Sequence, residues 1–135
     1  LIYGLKGAVD SLGNINENLK NTGKLWQYAK QTLLESGFVS VNSHEDGLPF
    51  ILNISVEGYR SETLLHFLEA QGVYVSSGSA CAKGEGSYVL REMGLGKKAV
   101  DSALRISLSR YNTKDDVDAL KSALIDATQK LRRSN

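Results

Sequence analysis

The chain has 135 residues, 41% of them hydrophobic and 23% charged, with a formal net charge of +1. These values suit one globular domain and exclude a disordered segment or a strongly basic nucleic-acid binder. The longest apolar runs, such as Pro49-Phe50-Ile51-Leu52, are far too short to span a membrane, and no basic-then-apolar leader opens the chain. The lone cysteine cannot form an internal disulfide, which fits a reducing, cytoplasmic setting. The chain opens on apolar Leu1, Ile2 and Leu5 with no capping residue ahead of them, so a fragment of something longer is expected.

Residues 1–12 and 15–35 are expected to be helical, broken near Gly13-Asn14. In the second segment Ile15, Leu19, Thr22, Trp26, Ala29 and Leu33 recur at fours and threes and predict one buried stripe. Glu17, Lys20, Lys24 and Lys30 fall off that stripe and are expected to face water. Gly37 offers a stop. Phe38, Val39 and Val41 predict a short strand, Asn42 to Gly47 a turn and Phe50 to Val56 a second strand, the two forming a hairpin. Ser61 is expected to cap a helix through Leu64, Leu65 and Leu68 that leaves at Gly72. A third strand is expected to begin at Val73, Tyr74 and Val75 and to run into Ser76-Ser77-Gly78-Ser79-Ala80-Cys81.

Ser87 is placed to cap a short helix ending at Gly94, and residues 97–102 form another helical piece. Leu104, Ile106 and Leu108 alternate with Arg105, Ser107 and Ser109 in a fourth strand. Thr113-Lys114-Asp115-Asp116 reads as a capping box that opens a helix with Val117, Leu120, Leu124, Ala127 and Leu131 on one face. The expected fold is α+β: a small, largely antiparallel four-stranded sheet with helices mainly on one face.

Two residues stand out for chemistry. Cys81 lies in a Gly- and Ser-rich loop with Lys83 two positions on. Small residues let backbone approach a ligand, and the ammonium favours the nucleophilic thiolate. The plain alternative is a buried small hydrophobe. Arg105 sits on a stiff strand opposite the apolar set, where a guanidinium can clamp a carboxylate through two parallel hydrogen bonds or simply face solvent. Other patterns fail. Gly94-Leu95-Gly96-Lys97-Lys98 lacks the residues of a phosphate loop, Asn53-Ile54-Ser55 matches a glycosylation triplet only inside an expected strand, and His44 and His66 make no metal pair.

The run Ser76-Ser77-Gly78-Ser79-Ala80-Cys81 strongly resembles the active-site loop of cysteine desulfurases, pyridoxal-phosphate enzymes of the class V aminotransferase type. The resemblance continues through Ser87 to Gly94, Leu104-Arg105-Ile106-Ser107-Leu108, Asn53-Ile54-Ser55 and the helix from Leu64 to Gly72. It implies the carboxy-terminal small domain of a fold-type I enzyme, with residues 1–36 leading out of an absent large domain and 37–135 forming the small one. It further implies that Cys81 takes sulfur from L-cysteine as a persulfide, leaving L-alanine, and that Arg105 binds the substrate carboxylate.

Ser77, Gly78, Ser79, Ala80, Lys83, Gly84 and Gly86 belong to the implied active-site loop. Pyridoxal 5'-phosphate is implied for the parent. Its Schiff-base lysine, found in a Ser-x-His-Lys context in the family, has no match here, so the chain alone is expected to be inactive. The implied parent is a cytoplasmic homodimer that hands sulfur to an acceptor protein serving iron–sulfur cluster assembly or tRNA thiolation. The short link from Ala82 to Gly86 favours the thiolation kind of acceptor. A free-standing persulfide carrier or redox module, a class V transaminase or lyase, and a purely structural domain are the rival readings. No direct nucleic-acid or membrane contact and no metal is expected.

Overall fold

The computed structural model of the chain describes residues 2–77 and 87–133. Six helices and four strands follow in the order α1 (Ile2–Ser11), α2 (Ile15–Leu34), β1 (Ser40–Val41), β2 (Ile51–Ser55), α3 (Ser61–Glu69), β3 (Ser76–Ser77), α4 (Tyr88–Glu92), α5 (Lys97–Asp101), β4 (Ala103–Ser107) and α6 (Lys114–Lys130). The strands form one sheet in the order β1-β2-β4-β3, and every neighbouring pair is antiparallel.

Strand alternation gives the sheet two unlike faces. Leu52 and Ile54 of β2 and Leu104 and Ile106 of β4 point to one face, where they meet Trp26, Ala29 and Leu33 of α2, Leu64 and Leu68 of α3, and Val117, Leu120 and Leu124 of α6. Three polar ties hold α2 and α6 in place. Trp26 Nε1 donates to the Ile51 carbonyl at 3.0 Å, Tyr59 Oη to the Thr128 carbonyl at 3.0 Å, and Tyr28 Oη to Asp118 at 2.8 Å. On the opposite face α5, with α4 beside it, covers only one end of the sheet, packing Leu90, Val100 and Ala103 into a second, small cluster.

The capping box expected at Thr113–Asp116 is present, with both reciprocal bonds made. Ser87 caps α4 as expected, its Oγ accepting from the Leu90 amide. Gly37, Gly72 and Gly94 all take positive φ at helix exits, at 77°, 77° and 83°.

Four expectations need correction. Ile15 and Leu19 do not join the buried stripe of α2. They are 63% and 43% exposed, and α1 before them buries no residue, so burial begins only at Thr22, where the sheet and α6 come within reach. Lys30 does not simply face water: its ammonium lies over the Trp26 ring and pairs with Glu45 at 2.7 Å. Ser61 is the first helical residue of α3. Arg60 occupies the cap and gives no side-chain bond. Finally, Val73–Val75 do not pair; the tight turn at Gly72 folds Val73 back so that its amide bonds the Leu68 carbonyl at 3.0 Å, and strand pairing begins only at Ser76.

Candidate active site

The open part of the outer sheet face is the candidate site. Register places Asn53 of β2 opposite Arg105 of β4, and Arg105 opposite Ser76 of β3. Directly opposed residues in antiparallel strands project to the same face, so these three side chains stand in one row across three strands. Arg105 is exposed, between buried Leu104 and Ile106. Its guanidinium has no ion pair and no hydrogen-bond partner among the described residues. The salt-bridged alternative for Arg105 is therefore not observed among them, and none of them takes up its five donors.

Of the expected loop residues, Ser77 is described and pairs with Leu104, one position from Arg105. Cys81, with Gly78, Ser79, Ala80, Lys83, Gly84 and Gly86, lies outside the described residues. The described residues that flank that segment are Ser77, in β3 beside β4, and Ser87, buried at the start of α4.

A polar relay beside Arg105 is a feature that sequence reading missed. The hydroxyl of fully buried Ser55 donates to the Ala99 carbonyl of α5 at 2.7 Å. Asn42 Nδ2 donates to Ser55 Oγ at 2.8 Å and to Asn53 Oδ1 at 2.7 Å, while Ser43 Oγ accepts the Asn53 amide at 2.8 Å. The available signal was the alternation of Asn53 and Ser55 with Leu52 and Ile54: a strand packed on both faces has no reason to carry two polar residues on one of them.

Pyridoxal phosphate needs an enclosed lysine amine and a phosphate seat. Among the described residues every lysine is exposed or half-buried; Lys30, the least exposed at 19% of its side chain, is committed to Glu45. These residues do not fit the cofactor. No group of three His, Cys, Asp or Glu among them is placed to hold a metal ion, and none of their helices is long and apolar enough to cross a membrane.

The antiparallel sheet in the order β1-β2-β4-β3 is thus backed by α2, α3 and α6 and presents an exposed strand arginine. The aminotransferase class-V family model matches residues 1–120, and the chain belongs to that family. It is 34% identical over 135 residues to the cysteine desulfurase IscS of Methanosarcina thermophila, an alignment covering 97% of this chain and 33% of that protein. It is 37% identical over 94 residues to the cysteine desulfurase NifS of Azotobacter vinelandii, covering 63% of this chain and 23% of that one.

Among solved structures, the NifS-like protein of Rickettsia africae superposes with a TM-score of 0.74 at 29% identity, over 86% of this chain and 30% of that one. The cysteine desulfurase CsdA of Escherichia coli gives 0.75 at 26% identity, over 95% and 30%. The chain thus spans about a third of the length of the relatives it matches.

Proposed function

We propose that this chain is the sulfur-handling third of a cysteine desulfurase, in which Cys81 is the nucleophile and Arg105 the anchor of the substrate carboxylate. One observation carries the reading: the segment bearing Cys81 follows Ser76-Ser77, which is paired alongside Arg105, exposed and without a partner among the described residues. A substrate held by its carboxylate on Arg105 presents the rest of itself to whatever that segment carries.

In the proposed step the Cys81 thiolate attacks the sulfur of L-cysteine. A sulfur–sulfur bond forms on Cys81 as the carbon–sulfur bond of the substrate breaks. The electron pair left on carbon takes up a proton, giving alanine, and the outer sulfur of the persulfide passes to a thiol of an acceptor protein. Holding that electron pair is the chemistry pyridoxal phosphate supplies in this class of enzyme. The chain spans about a third of the length of the cysteine desulfurases it matches, which supports a longer parent that carries the cofactor and its lysine, the isolated chain then being inactive.

Residues 1–36 then lead out of the large domain and 37–135 form the small one. The unpacked helix α1, with Ile2, Leu5 and Val9 exposed along one side, supports that division because such a side is stable only when something covers it. The cytoplasmic setting, the homodimeric parent and the acceptor serving cluster assembly or tRNA thiolation are parts of the same proposal.

The test is made on the full-length protein. Replacing Cys81 by Ala should abolish alanine formation from L-cysteine and the mass gain of one sulfur on the protein, with the cofactor's absorbance retained. Continued turnover removes Cys81 from the role. Arg105→Ala should raise KM for L-cysteine by about 10- to 100-fold, the loss expected for a charge-assisted bidentate pair. An unchanged KM makes Arg105 structural.

A further inference from the structure

We infer that the side-chain amide of Asn53 is a second donor to the substrate carboxylate, set beside Arg105 and aimed by Asn42 and Ser55. The inference rests on Arg105 being the carboxylate anchor and adds a residue to that subsite.

The argument starts from a group whose hydrogen-bonding role is not open to choice. A backbone carbonyl can only accept, so the 2.7 Å contact between Ser55 Oγ and the Ala99 carbonyl uses the single hydroxyl proton of Ser55. Ser55 Oγ can then only accept from Asn42, which puts the amide nitrogen of Asn42, not its oxygen, at 2.8 Å from it. That same nitrogen lies 2.7 Å from the Asn53 side chain, so the Asn53 atom facing it is Oδ1. Each link follows from the one before, and the amide that could be drawn either way round is fixed by a carbonyl three groups distant.

The consequence for Asn53 is that its acceptor end is occupied and its Nδ2 is left over. Neither hydrogen of that nitrogen has a partner among the described residues. Asn53 is half-buried, on the same sheet face as Arg105 and directly opposite it in register. Two neighbouring side chains on one face thus present chiefly donors, a charged fork and a neutral amide, with one of the two lone pairs of Asn53 Oδ1 already taken. A pair so rich in donors suits a carboxylate, whose two oxygens accept several hydrogen bonds, better than an amine. Of the two ionic groups of an amino-acid substrate, this pair selects the carboxylate. Asn42 and Ser55 act through Asn53 and are positioning residues.

The experiment uses the full-length, cofactor-loaded protein. It compares KM for L-cysteine with the inhibition constant of cysteamine, which carries the amine and thiol without the carboxylate. Asn53→Ala should raise KM for L-cysteine by about tenfold and leave cysteamine unchanged, the discrimination expected of one hydrogen bond to a charged group. Asn53→Asp is the decisive variant. Its carboxylate still accepts from Asn42, so a purely structural role is preserved, but it turns two donors into a repelling acceptor. KM for L-cysteine should rise by more than in Asn53→Ala, again without effect on cysteamine.

If Asn53→Asp leaves the ratio of the two constants at the wild-type value while Arg105→Ala collapses it, the Asn53 inference is overturned and the Arg105 anchor stands. If Arg105→Ala also leaves the ratio unchanged, the anchor itself is wrong and the inference falls with it. A parallel rise of both constants in the Asn53 variants would mean general disturbance of the site and would likewise overturn it. Asn42→Ala should give a smaller loss than Asn53→Ala, confined to L-cysteine, because it frees the amide to turn without removing it.

Discussion

The two faces of the sheet are built from the same strands and do opposite things. On the inner face Leu52, Ile54 and Leu104 are fully buried and Ile106 nearly so, closed over by three helices. On the outer face the alternate residues of those strands are Ile51, Asn53 and Ser55, with Ala103, Arg105 and Ser107, and only the Ser55–Ala103 end is covered, by α5. Burial stabilises the first face at roughly 25 cal/mol per Å² of apolar surface. The second face has its own order, obtained from a chain of hydrogen bonds that starts at a helix carbonyl and ends at an outward-facing amide. The lesson is that a strand can divide stability and chemistry between alternate residues, so that neighbours in sequence answer to different demands.

The largest test of that division compares adjacent residues. Leu104→Ala removes a fully buried side chain and should cost about 3 kcal/mol of unfolding free energy, within the usual range for such cavities. Arg105→Ala, one position on, should change stability by no more than about 0.5 kcal/mol, since the side chain is exposed and has no partner among the described residues. Urea-induced unfolding of the two variants measures both. Equal losses would break the comparison, because they would mean that Arg105 supports the fold as much as the core does.

A smaller effect comes from the place where the two demands meet. Ser55 lies on the outer face yet is fully buried beneath α5. Ser55→Ala removes the acceptor of Asn42 and the short bond to the Ala99 carbonyl, leaving that carbonyl only the 3.3 Å contact from Ser102. The expected cost is about 1–2 kcal/mol, the penalty for under-satisfied buried polar groups. The same variant should also loosen the orientation of Asn53. A loss below a few tenths of a kcal/mol would show that water replaces the hydroxyl and that the relay is less fixed than its geometry implies.

Much of this was legible in the sequence, for reasons that differ by element. The start of helix α6 could be read to the residue because its signals are local: Thr113 and Asp116 cap each other, and the apolar positions recur at the helical period; its end fell one residue short of Leu131, which is the extended C-cap. Strand β4 was legible through alternation, β2 as an apolar run after a turn, and Arg105 stood out because it broke an apolar set. The misreadings came where distant parts of the chain decide. Ile15 and Leu19 have the same spacing as Trp26 and Leu33, and only the position of the sheet tells the exposed half of α2 from the buried half. Val73–Val75 have strand composition but are drawn away by the turn at Gly72. The Asn42–Asn53–Ser55 relay joins the residue after β1 to β2 and α5, and neither periodicity nor composition reports a contact between residues 55 and 99.

The finest test of how far local signals suffice concerns that capping box. Asp116 Oδ2 accepts from the Thr113 backbone amide at 2.8 Å and from Asn112 Nδ2 at 3.3 Å, and those bonds, the backbone one foremost, hold its carboxyl below the ordinary value of 3.8. A carboxyl whose value is lower folded than unfolded favours the folded chain when ionised. Its contribution is therefore complete above the ordinary value and disappears as pH falls through the lowered one. Asp116→Ala should accordingly lower the melting temperature at pH 7 by a few degrees, corresponding to roughly 0.5–1 kcal/mol for a cap. The gap between variant and wild type should close as the pH is taken down past the lowered value. A gap that persists unchanged in acid would show that the carboxylate's charge is not what stabilises the helix start, and that the Thr113 hydroxyl and backbone geometry suffice.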